Sequence, residues 1–166
     1  MIVAVVVLVS LLTIACGQES GSPADPPPRI QPRESIGGIA LGMTTTQVRK
    51  RLGAPDAEKP SELHSGWTQW VYRDSGIRVT FDESNVWDVR TVSGEYRTPS
   101  GVGVGSTEAQ LRETSPGLKC APAGPDGTAP PRSCVDTRRP PGPFTQFWLS
   151  DGRVVSRVTV ARGLAQ

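Results

Sequence analysis

The chain has 166 residues, a net charge of +2, a single histidine and three cysteines. The slight basic excess is dispersed except at Arg49-Lys50-Arg51 and Arg138-Arg139, which read as solvated faces, so no nucleic-acid partner is expected. His64, the only histidine, shows no convergent set of catalytic or metal-binding partners nearby in sequence, and no Gly-x-Ser-x-Gly or phosphate-loop pattern is present. The expectation is therefore a protein that is not an enzyme and uses no metal or cofactor.

Residues 1–15 contain an uncharged apolar run, Ile2 to Ala15. The run is too short to span a bilayer comfortably as a helix and reads as the apolar core of an export signal. It closes on Leu12-Thr13-Ile14-Ala15-Cys16-Gly17, which resembles the lipobox of bacterial lipoproteins. That resemblance implies that Cys16 becomes the first mature residue and carries the acyl (palmitate) lipid, although Thr13 stands where Leu is usual. Plain secretion is the other reading of the same segment. Residues 16–35 are polar and Pro-rich, the composition of an extended tether that holds a domain away from a membrane. The fold is expected to begin near Ile36.

Residues 36–96 form the first expected unit. Leu41-Gly42 precede Thr44, and Gln47 follows three positions later, the pattern of a capping box. The helix then runs from Thr45 to Leu52, with Val48 and Leu52 on its buried side, and stops at Gly53 and Pro55. From Trp67 the period changes to two. Trp67 to Tyr72, Ile77 to Phe81 and Val86 to Val92 read as a meander of three antiparallel strands. Aromatic residues occupy both alternating sets of the first strand, and Trp87 is out of phase with Val86. Some large side chains are therefore expected on the sheet face away from the helix, and Trp67, Trp70, Tyr72 and Trp87 are the candidate binding residues. Asp82 and Glu83, in the turn between the second and third strands, are the candidate inserting loop.

Residues 97–166 repeat the pattern in weaker form. Val104-Gly105 precede Thr107 and Gln110, at the same separation from each other as the first set, and Pro116-Gly117 end a shorter helix. Internal recurrence of this kind is the mark of two similar units in tandem. Cys120 and Cys134 bracket a Gly/Pro/Ala-rich loop, and in an exported chain they are expected to form a disulfide. Phe144-Thr145-Gln146-Phe147 echoes Trp67-Thr68-Gln69-Trp70. Asp151-Gly152 is a hairpin signal before a last strand, Val154 to Val160.

Leu41, Gly42, Met43, Thr44, Val48, Leu52, Gly53 and Pro55, behind an export signal and tether, resemble the exported bacterial domains of the SmpA/OmlA (BamE-like) type. The doubling, with a Cys pair in the second half, is similar to the β-lactamase inhibitory protein (BLIP-like) fold. The resemblance implies an α+β protein in which a short helical segment and an antiparallel β-meander occur twice, with the helices on one face of the sheet. It also implies a lipid-anchored envelope module on the extracytoplasmic face of the cell membrane that binds an envelope or secreted protein. Inhibition of a secreted hydrolase such as a β-lactamase, and binding of cell-wall glycan or a small ligand, are the alternatives.

Overall fold

The computed structural model describes residues 29–61, 64–121, 132–136, 142–150 and 153–163. The export signal, Cys16, most of the tether, Arg138-Arg139 and Asp151-Gly152 lie outside the described residues.

Three two-residue strands, Ile30–Gln31 (β1), Ser35–Ile36 (β2) and Ile39–Ala40 (β3), form a small antiparallel sheet. Ile30, Ile36 and Ile39 are fully buried in the main core. The fold thus begins before the expected boundary at Ile36: the isolated Ile30, in a stretch too polar to show periodicity, is an anchor of the domain.

The helix Thr45–Leu52 (α1) has the bounds expected, and Thr44 caps it as the sequence predicts. The Thr44 hydroxyl accepts from Gln47 N, and the Gln47 side chain accepts from Thr44 N at 2.8 Å. The second helix, Glu108–Thr114 (α2), carries the same box between Thr107 and Gln110. Four strands follow α1: Ala57–Pro60 (β4), Thr68–Tyr72 (β5), Ile77–Asp82 (β6) and Asn85–Thr91 (β7). Four also follow α2: Leu118–Ala121 (β8), Ser133–Asp136 (β9), Phe144–Leu149 (β10) and Val155–Ala161 (β11). Sequence reading provides only three and two. β4 is an edge strand of sequence AEKP with alternating half-buried and exposed residues, so it has no apolar stripe to betray it. β8 and β9 are short and hold the two cysteines. Phe144–Leu149 is the third strand after its helix, whereas Thr68–Tyr72 is the second, so the aromatic echo between them does not mark equivalent strands.

All eight strands form one antiparallel sheet in the order β4-β5-β6-β7-β11-β10-β9-β8. β7 and β11 join its two halves. Each helix entry is tied to a hairpin by three backbone bonds. Gly42 N donates to Val86 O, Val86 N to Met43 O, and Thr45 N to Ser84 O. In the second half Gly105 N donates to Val155 O, Val155 N to Ser106 O, and Glu108 N to Arg153 O. Gly42 and Gly105 have φ of 83° and 90°, a conformation glycine adopts without the steric penalty of a Cβ.

Register assigns the two sheet faces. Trp70, Val79, Val89 and Val160 stand opposite one another on successive strands, as do Tyr72, Ile77, Thr91, Val158, Phe147, Cys134 and Cys120. Both rows lie beneath the helices. Val48 and Leu111 are fully buried among them, and the Tyr72 hydroxyl donates to Gly53 O at the end of α1. The buried apolar side chains of both halves make one core. No helix or second sheet of described residues covers the opposite face.

Candidate binding face

The structure divides the sequence-predicted binding residues between the two faces. Trp70 and Tyr72 lie in the core, 5% and 6% exposed. The Trp70 ring meets Phe81 edge-on at 4.7 Å, and the Arg49 guanidinium lies 4.8 Å above it from α1. Burial raises the pKa of the Tyr72 hydroxyl, with Arg49 acting in the opposite sense. As candidates for contact with a partner, both are corrected: strand alternation points them under the helix. Trp67 and Trp87 are half-buried, and their rings meet at 4.9 Å on the uncovered face. His64 packs on Trp67 at 4.0 Å, so it serves as an aromatic neighbour there.

A register shift between Thr80 and Phe81 accounts for the phase break at Trp87. Thr80 pairs with Asp88 but Phe81 pairs with Val86, leaving Trp87 as the extra residue of a β-bulge. Asp82 ends β6, and Glu83 is exposed with φ of 54°. Their turn is bound to the entry of α1 through Ser84 O, so it is a fastened connection and not a projecting loop.

The uncovered face holds residues that aromatic content did not single out. Arg78 and Arg90 are direct partners on β6 and β7, in register with Thr159 on β11. Arg157 follows two positions along β11. Arg90 makes a two-pronged ion pair with Asp88, Nε to Oδ1 at 2.8 Å and a terminal nitrogen to Oδ2 at 3.1 Å. The Arg157 guanidinium lies 4.3 Å from the Trp148 ring centre, and Trp148 Nε1 donates to Thr159 Oγ1 at 3.1 Å. Burial lowers the Arg157 pKa, Arg90 and Arg78 lower it further, and Asp88 opposes them.

Two buried polar atoms on this face have no hydrogen-bond partner: Arg157 Nε and Gln69 Oε1. Leaving such an atom unpaired costs about 1–3 kcal/mol. A depression of about 340 Å³ lies beside the arginines, with Val71, Val92, Arg78, Arg90 and Arg157 in its walls. The signal for this group was present in sequence, since Arg78, Arg90 and Arg157 occupy positions alternating with core valines. Only the pairing of β7 with β11, which is non-local, brings Arg157 to the other two.

On the helix side, Cys120 and Cys134 form the expected disulfide between β8 and β9. The Glu108 carboxylate lies against the two sulfurs. It is taken up by Arg132 at 2.7 Å and Arg112 at 2.8 Å, and with the sulfurs bonded to each other the trio has the chemistry of a staple beside an ion pair. The Arg132 hydrogen bond holds the Glu108 pKa at about 2, against desolvation that acts to raise it, and Arg112 adds to the lowering.

No protein-family model matches the chain, and no curated protein matches it in sequence. Among solved structures it is similar to an extracellular SCP-domain-containing protein of Bacillus anthracis, at 13% identity and a TM-score of 0.52. The match covers 74% of this chain and 44% of that one. A cysteine-rich secretory protein of Staphylococcus aureus matches at 14% identity and a TM-score of 0.51, covering 79% of this chain and 47% of its own. The chain thus spans less than half the length of these two proteins. A DUF4309-family protein of Bacillus subtilis, YjgB, matches at 13% identity and a TM-score of 0.49, covering 76% of this chain and 84% of its own.

These findings overturn the resemblance to the SmpA/OmlA type and the β-lactamase inhibitory protein. The residues that carried it perform local tasks: Thr44 caps α1, Gly42 turns into it, and Gly53 ends it. Any short helix entered from a turn needs such residues, so they specify local geometry rather than a family. What the first two solved structures share with this chain is a fold, an α+β arrangement built largely on antiparallel sheet.

Proposed function

We propose that the chain is a non-catalytic protein-binding module of the cell envelope, held at the membrane by lipid on Cys16, with the uncovered sheet face as its contact surface. The observation that carries this reading is that face itself. Eight strands wide, it bears the Trp67–Trp87 pair, Trp148 and three arginines, and it has no covering layer among the described residues. Tryptophan and arginine dominate the energetics of protein interfaces.

An extracytoplasmic location is supported by the disulfide, which is ordinary in oxidising compartments, and by the leader-like residues 1–15. Two structural neighbours described as extracellular and secretory agree with it. Because Ile30 is already buried in the core, the tether of this reading ends before it. We read residues 36–96 and 97–166 as two copies of one unit, in which a capped helix precedes four strands. The two matching sets of helix-entry bonds support that duplication.

The test is affinity capture from envelope membranes, comparing the native chain with a Trp67→Ala/Trp87→Ala variant and a Lys50→Ala control on α1. One protein retained by the native chain and the control, and lost by the tryptophan variant, is expected. Equal capture by all three would remove the reading.

A further inference from the structure

We propose that the depression over β5, β6, β7 and β11 binds the carboxylate side chains of an acidic, extended segment of a protein partner. This deepens the protein-binding reading above and rests on it. Arg78, Arg90 and Arg157 crowd onto neighbouring strands, whose spacing is about 5 Å. Asp88 is committed to Arg90 through both of its oxygens. Arg78 and Arg157 therefore have no carboxylate of their own among the described residues, and each presents a planar fork matched to one. Arg157 is already oriented by the Trp148 ring, and its buried Nε still lacks an acceptor.

The depression also has apolar walls. Val71 and Val92 line it, and Val92 is 58% exposed, the one exposed large apolar side chain among the described residues. An isolated inorganic anion satisfies the guanidinium groups and leaves these valines wet. An extended peptide sets the side chains of one face about 7 Å apart, so a carboxylate at one position reaches the arginines while an aliphatic side chain two residues on covers the valines. Charge complementarity and the mixed walls together select an acidic peptide that carries aliphatic residues.

The experiment uses the full chain in detergent and fluorescein-labelled seven-residue peptides with Asp or Glu at the first and fifth positions, Val or Leu at the third and seventh, and Ser between, read by fluorescence anisotropy. Saturable binding that weakens with added NaCl is expected, with at least tenfold loss when Asn and Gln replace the acids. Arg78→Glu, at an exposed position, is expected to lose at least tenfold in affinity with an unchanged circular dichroism spectrum. Arg157→Lys, which keeps the charge and removes the fork, is expected to lose several-fold. Equal binding of the amide peptides, or an unchanged affinity in Arg78→Glu, would overturn the proposal. So would displacement by inorganic phosphate or phosphatidylglycerol vesicles as effective as displacement by unlabelled acidic peptide. If no acidic peptide binds while the envelope partner is still captured through Trp67 and Trp87, the carboxylate assignment fails and the protein-binding reading stands. Loss of both removes the reading itself.

Discussion

Replacing Trp70 with alanine separates the two sheet faces energetically. Trp70 is 5% exposed, packed against Phe81 and capped by Arg49. Burying an aromatic side chain removes about 150–250 Å² from water, and at about 25 cal/mol per Å² this stabilises by about 4–6 kcal/mol. Part of that is recovered by the alanine and by local collapse, so a destabilisation of about 3–5 kcal/mol is expected. Against a domain stability of about 5–15 kcal/mol, that is a large fraction of the whole. Trp67 is half-buried on the uncovered face, and Trp67→Ala is expected to cost less than about 1.5 kcal/mol. Urea denaturation followed by far-ultraviolet circular dichroism measures both. Equal losses, or a larger loss at Trp67, would refute the assignment of the faces.

Thr44→Ala and Thr107→Ala should each cost about 1 kcal/mol, since each removes one capping-box acceptor. The two costs should add in the double variant, which denaturant titration would show. Opening the Cys120–Cys134 bridge releases a loop of 14-residue separation, and the chain-entropy estimate puts the loss at about 3 kcal/mol. Chemical unfolding with and without reductant checks it. Glu108 titrates at about 2 in the folded chain, below its ordinary value of 4.5. Its stabilising contribution is therefore complete above about pH 4.5 and is lost as the pH falls toward 2. Glu108→Gln should accordingly flatten the fall of melting temperature across that interval, and a parallel fall in both proteins would contradict the ion-pair assignment.

What sequence reading captures here is local. The two capping boxes are visible because a hydroxyl and an amide three residues apart satisfy backbone donors within one turn, and both are found where expected. The first meander is visible because its strands alternate. β4 is not, because an edge strand with a polar sequence needs only backbone pairing. Ile30 escapes because a single buried residue has no period.

The facing of the tryptophans could not be read from alternation alone, since the bulge opposite Phe81 shifts Trp87 out of phase. The arginine group is the clearest case of information that sequence order conceals. Arg78 and Arg90 come together through one hairpin, but Arg157 reaches them only through the pairing of the chain's last strand with β7. Family resemblance fails for the complementary reason: the export signal, tether, capped helix entry, doubling and cysteine pair that carry it are local or compositional features, while the similarity found lies in the fold of the matched part of the chain.

The most direct measurement places an apolar photo-activatable cross-linking residue at Val92, exposed beside the arginines on the uncovered face, or at Lys50 on α1, in the full chain in its own membrane. Irradiation is expected to give a discrete adduct with one partner protein from position 92 and none from position 50. An adduct from position 50 alone would contradict the account, because it would place the partner on the helix side. The absence of any adduct from position 92 would remove the sheet face as a contact surface.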